Sequence, residues 1–214
     1  MSHLIQYMIG YPFMWISLFC FGLALCRLKA SVYKTQLLLS IVPLTIFGVG
    51  IQFYNLAQWL GLLHPLASAL CFWGVFRFRL FHAFLVSLSI FSSSACSEIF
   101  FNWFIFGFHL ERSLFYQHND ILLTPLLICI YHIGLYFLLH KLRLGFTFKS
   151  PSRTSLRTTY SLSWKFLSLS CLIFFFLAVW DLFNSGQLML IFAMFSIISW
   201  GALLYLSYRK EIQD

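Results

Sequence analysis

Ser94, Glu98 and Asn102 recur at four-residue intervals in the stretch SIFSSSACSEIFFNWF, and Ser87 precedes them by one heptad. On a helix that spacing gathers them into one polar stripe. A carboxylate in such a stripe can hold a cationic ligand group, while serine and asparagine there serve as hydrogen-bonded glue between membrane helices. Glu98 carries the most information, because an ionised group at mid-bilayer costs roughly 2.5 kcal/mol or more and such groups face a cavity or a partner. Trp103 marks an interface position, which puts Glu98 about 7 Å below it, wet enough to stay charged. Glu111, Asp120 and Asp181 fall in loops or at helix ends on the same side, with Arg112 as the one cation among them. Together with Glu98 and Asn102 they are the candidate ligand contacts, on a surface that would attract a cationic, partly apolar ligand.

Other chemistry is harder to build. His109, Glu111, His118 and Asp120 crowd the segment FHLERSLFYQHND, yet no pair has the i, i+4 spacing of helical metal ligands, so no metal is expected. The six cysteines lie inside apolar runs and never as C-x-x-C, which reads as small buried hydrophobes. His82 and Cys96 are nearly four helical turns apart, too far for a nucleophile–base contact. With no P-loop, glycine-rich nucleotide cradle or H-E-x-x-H, no catalytic machinery and no cofactor are expected on this chain.

The elements that must position these residues are apolar nearly throughout. The 214 residues are 61% hydrophobic and 9% charged, with 27 Phe and a mean hydropathy of +0.86. That composition excludes an ordinary soluble domain. Apolar runs of about 20 residues, each able to cross a ~30 Å hydrocarbon core as a helix, recur over 4–26, 36–54, 56–76, 80–108, 121–139, 162–180 and 188–208. The first is read as a retained span, since no basic segment precedes it and no small-residue cleavage pattern follows. Asn55, Gln58 and the pair His64–Pro65 are expected to mark the turn between the second and third spans. The fold class is therefore an all-α integral membrane bundle of about seven transmembrane helices at the cell membrane, N-terminus out and C-terminus in.

Charge supports that count. With the N-terminus outside, seven spans put every Lys and Arg but Arg112 on the inner side, as the positive-inside rule requires. The formal charge of +8 is then topology and contact with anionic membrane lipids, and no nucleic-acid partner need be invoked. The longest loop, KLRLGFTFKSPSRTSLRTTYSLSWKF, holds six cations and no acid, and Phe146, Phe148 and Trp164 suit it to the headgroup region. Residues 1–208 form the transmembrane unit, and 209–214 begin a charged helix leaving the membrane.

Two stretches, FRFRLFHAFLVSLSIFSSSACSEIFFNWF and WDLFNSGQLMLIFAMFSIISWGALLYLSYRKEIQD, together with the seven-span, phenylalanine-rich, short-looped layout, resemble a known group. That group is the N-terminal membrane sensor region of Gram-positive peptide-pheromone receptor histidine kinases of the competence-peptide and bacteriocin-peptide type. The resemblance runs through the whole chain as architecture, without a signature motif. It implies a quorum-sensing receptor that binds an extracellular cationic amphipathic peptide and shifts its last helix against a dimeric kinase stalk. It also implies homodimerisation or pairing with a full-length receptor kinase. The sequence ends at Asp214 before any phosphoacceptor helix or nucleotide-binding box, so phosphotransfer is assigned to no residue here. A stand-alone immunity or pheromone-decoy protein is the alternative reading, and a transporter or membrane-enzyme subunit the third.

Overall fold

The computed structural model describes residues 2–54, 56, 59–105 and 123–142, with helical residues singly or in pairs between 169 and 205. Five α-helices order the described chain: α1 (Ser2–Leu25), α2 (Lys34–Phe53), α3 (Leu60–Gly74), α4 (Leu80–Ile105) and α5 (Leu123–Leu142). A single 3₁₀ turn, Ala30–Tyr33, leads into α2. Among the described residues, α1, α2, α4 and α5 carry apolar stretches long enough to cross a membrane. α3 has 15 residues and so reaches about 22 Å, short of the ~30 Å core. The protein is a multi-pass, all-α integral membrane protein.

These five helices coincide with the first five spans expected from sequence. The expected spans at 162–180 and 188–208 lie mostly outside the described residues. Phe176, from the former, stacks on Trp59 with ring centroids 5.9 Å apart. The third helix departs most from expectation: His64 and Pro65 lie within α3 and are buried, where the sequence reading set them at a turn. Proline is tolerated there because its missing N–H removes one intrahelical hydrogen bond, which membrane helices accommodate.

Heptad spacing marks the buried faces of α1 and α2. On α2 the buried residues Leu37, Ile41, Leu44, Gly48 and Ile51 alternate in steps of four and three. On α1 Tyr11, Trp15, Leu18, Gly22 and Leu25 follow the same pattern. Tyr11 is where this α1 face meets α2, while Trp15 meets His64 of α3 and Phe91 of α4, and the Tyr11 contact needs a close approach of α2. Gly48 is required by it: a Cβ there would sit 2.8 Å from the Tyr11 ring. Gly22 does the same for two further helices, since its Cβ would lie 2.5 Å from Ile90 Cδ1 and 2.7 Å from Phe72 Cζ. Small residues at such crossings let membrane helices approach closely.

α1 is the hub, packing on α2, α4 and α5, while α3 packs chiefly on α4. Trp15, Phe19 and Leu23 of α1 are fully buried, with Phe72 of α3 and Leu85, Val86 and Ile90 of α4. Outward, α5 shows Leu126, Ile130, Ile133 and Phe137, and α2 shows Leu38, Val42 and Ile46. Apolar side chains thus face both core and exterior, as expected where the solvent is lipid.

At the end of the bundle where α1 and α3 finish, two arginines adopt left-handed backbone: Arg27 at φ 56° and Arg77 at φ 60°. Behind Arg27, the Arg27 N–H donates to Ala24 O at 2.9 Å and the Leu28 N–H to Leu23 O at 2.9 Å. That pair of bonds is a Schellman cap, usually closed by glycine. Behind Arg77, the Phe76 N–H donates to Cys71 O at 3.2 Å and the Phe78 N–H to Phe72 O at 3.0 Å. A side chain with a Cβ costs roughly 1 kcal/mol or more in this conformation.

Candidate functional site

α4 carries Ser87, Ser89, Ser92, Ser93 and Ser97 into the interior. Ser87 and Ser68 of α3 meet through their hydroxyls, and both reach the Pro65 carbonyl. Two hydroxyl protons serve three oxygen contacts, so one hydroxyl donates to the other, which donates to the carbonyl. Toward α5, the Ser93 and Tyr131 hydroxyls are 3.3 Å apart. Ser97 donates to Ser94 O at 2.8 Å within its own helix. The serine-rich face of α4 therefore ties α3 and α5 to it.

A second group of polar side chains surrounds α1 and is held differently. The His64 imidazole meets Trp15 edge-on, with centroids 5.1 Å apart, and Tyr11 edge-on at 5.7 Å. Phe91 of α4 completes the enclosure at 6.3 Å. The Tyr11 hydroxyl accepts a hydrogen bond from Gln52 Nε2 of α2 at 3.3 Å. His132 of α5 is wholly buried and lies parallel to Phe21 of α1, centroids 5.3 Å apart and planes 16° from parallel. Among the described residues, His64 Nε2, Trp15 Nε1 and both His132 ring nitrogens have no hydrogen-bond partner. A ring nitrogen left this way keeps hydrogen-bonding capacity where low polarity makes it worth most.

Glu98 is half-buried on α4 and closes the apolar stretch Leu80–Glu98. Asn102 follows one turn later in α4, so the backbone carries the four-residue stripe from Ser94 to Asn102. Glu111, Asp120 and Asp181 lie outside the described residues, as do His109 and His118. Of the stripe, Ser87 has a packing role, bonded into α3. Among the described residues no three His, Cys, Asp or Glu gather as metal ligands, and Cys20, Cys26, Cys71, Cys96 and Cys129 are free thiols.

The imidazole enclosure is what the sequence reading missed. Its signal was present in pieces: Tyr11 and Trp15 stand at i, i+4 on α1, and His64 and Ser68 at i, i+4 on α3. Nothing in that spacing says that the two pairs face each other.

Compared with protein-family models, with curated proteins and with solved structures, the chain matches none. Its architecture and its interior therefore carry the functional reading, and they identify it as a multi-span, all-α integral membrane protein.

Proposed function

We propose that the chain is a membrane sensor region that binds an extracellular cationic amphipathic peptide and passes a helix shift to a cytoplasmic histidine-kinase stalk. The observation that supports this most directly is the polarity of α4. One helix begins just after Arg77 and Arg79 and ends beyond a half-buried Glu98 with Asn102 a turn later. A basic peptide lying across the acidic end gains charge-assisted contacts from Glu98, with Asn102, Glu111, Asp120 and Asp181 as further contacts. Binding there biases the packing of α4 against α3 and α5, and a population shift between two packings is sufficient to move a signalling helix. Pairing of two copies, or of this chain with a full-length kinase, belongs to the same reading.

The test is saturable binding of a panel of synthetic cationic amphipathic peptides to the chain in nanodiscs, repeated with Glu98→Lys. Reversing one contact charge is expected to weaken binding by about tenfold or more while folded protein is recovered in full. If no peptide binds saturably, or if Glu98→Lys binds as well as the parent, the peptide-receptor reading is wrong. Binding with no kinase attached to or co-purifying with the native protein would move the assignment to an immunity or decoy role.

A further inference from the structure

α5 carries three polar rings along one face. His132, Tyr136 and His140 stand four residues apart, a spacing that aligns side chains on one side of a helix. His132 is wholly buried near the middle of α5, about 15 Å from its Leu142 end. His140 lies in the last turn beside Lys141, and its ring meets that of Tyr136 at 4.6 Å. Among the described residues, both His132 ring nitrogens and His140 Nε2 are buried without a hydrogen-bond partner. Phenylalanine would pack here as well, so two imidazoles on this face keep a proton-carrying capacity that packing does not use.

The same line continues onto α4. Cys129 meets Ser17 and His132 meets Phe21, contacts that advance together along α5 and α1, so these two helices are parallel. Trp15 meets Phe91 while Gly22 packs against Val86 and Ile90, so α4 runs the other way. The first half of α5 therefore lies beside the last half of α4. There Tyr131, its ring 5.5 Å from that of His132, brings its hydroxyl to 3.3 Å from that of Ser93. Ser97 follows Ser93 by one turn and is also buried, and half-buried Glu98 adjoins it. From Glu98 to His140, hydroxyl and titratable side chains thus recur over about 21 Å of the bundle axis, most of a ~30 Å hydrocarbon core. No Lys, Arg, Asp or Glu stands on α1, on α4 before Glu98, or on α5 before Lys141. Beside His132, the other titratable groups of α5 and of the two helices packed on it are the thiols Cys20, Cys26, Cys96 and Cys129 and, near the start of α4, the His82 imidazole.

We propose that α4 and α5 form a proton relay through the membrane, running from Glu98 through the Ser93–Tyr131 hydroxyl pair and His132 to His140. A proton taken up by the Glu98 carboxylate passes along the hydroxyls. Neutral His132 accepts it at one ring nitrogen and releases the proton held on the other, and His140 repeats the step at the Lys141 end. Transient water bridges the gaps between side chains. Each group gives up one proton for each it receives, so no co-reactant is consumed, and rotation of hydroxyls and rings restores the starting state. The driving force is the proton gradient or potential across the membrane. Glu98 can serve both this relay and a peptide contact; His132 belongs to the relay alone and is the residue that tests it.

The full chain would be reconstituted into liposomes holding a pH-sensitive dye, and proton uptake followed under a potassium potential set with valinomycin. The parent should acidify the lumen about tenfold faster than protein-free vesicles, or more. His132→Phe keeps a ring on Phe21 and should return the rate to the vesicle background, with a melting temperature matching the parent's. His140→Gln should slow uptake by about threefold or more, because an amide cannot take up and release a proton. Ser68→Ala, which removes a hydroxyl from the α3–α4 contact away from the line, should keep the parent's rate. A parent no faster than empty vesicles, His132→Phe at the parent's rate, or an equal loss in Ser68→Ala would each overturn the proposal. Loss of uptake in His132→Phe together with a lowered melting temperature would assign the ring to packing and overturn it too.

Discussion

The two polar regions inside this bundle bury similar chemistry by opposite means. Between α3 and α4, Ser68, Ser87 and the Pro65 carbonyl close a triangle in which each hydroxyl has a partner. Around α1, His64, Trp15 and His132 are enclosed by rings, and His64 Nε2, Trp15 Nε1 and both His132 nitrogens find no partner among the described residues. Ser68 and Ser87 are satisfied because a serine hydroxyl sits close enough to the backbone to reach a helix carbonyl, although Ser89 on the same helix as Ser87 finds no partner among the described residues. An imidazole or indole projects past its own backbone, so what it meets is decided by the neighbouring helix. The first region is glue; the second keeps unspent polarity at bilayer depth, the usual mark of functional residues in membrane proteins.

That contrast can be broken by three substitutions, ordered by expected effect. His132→Ala removes a wholly buried ring from against Phe21 and opens a cavity between α1 and α5. Its expected loss is about 3 kcal/mol, read by reversible unfolding in mixed micelles. A loss below ~1 kcal/mol would mean that His132 does not hold the α1–α5 contact. In the serine triangle, Ser68→Ala and Ser87→Ala should each lose about 1 kcal/mol. Their double-mutant cycle should show coupling of several tenths of a kcal/mol or more. Additive effects would show that the hydroxyls do not act together.

The smallest effect sharpens the comparison most. His132→Phe keeps a ring on Phe21 and removes two unpartnered nitrogens, so stability should stay within about 1 kcal/mol of the parent or rise. A loss approaching that of His132→Ala would show that the nitrogens are hydrogen-bonded in the membrane, and His132 would then belong with the serines.

Membrane character, five helices and the polar stripe on α4 were legible from residue type and period. A run such as LFHAFLVSLSIFSSSACSEIF is too long and too apolar to be anything but a spanning helix, and its serines repeat at helical spacing. His64 was not legible. Read alone, a histidine before a proline between two apolar runs suggests a turn, and only the packing of α1 across α3 and α4 buries it. The left-handed turns were equally hidden, because propensity puts glycine at such positions, and here arginine stands in both.

The sequence by itself determined what each segment is: its length against the bilayer, its apolar surface, and which end of the bundle is basic. Those properties are additive along the chain, so they survive being read one residue at a time. Tertiary structure alone decided which polar atoms meet. The partner of Ser87 is 19 residues away, and the ring beneath His132 belongs to Phe21 on another helix. In a chain that is apolar on nearly every face, hydrophobicity cannot choose the facing pairs; close contact at Gly22 and Gly48 and the few hydrogen bonds of the interior do.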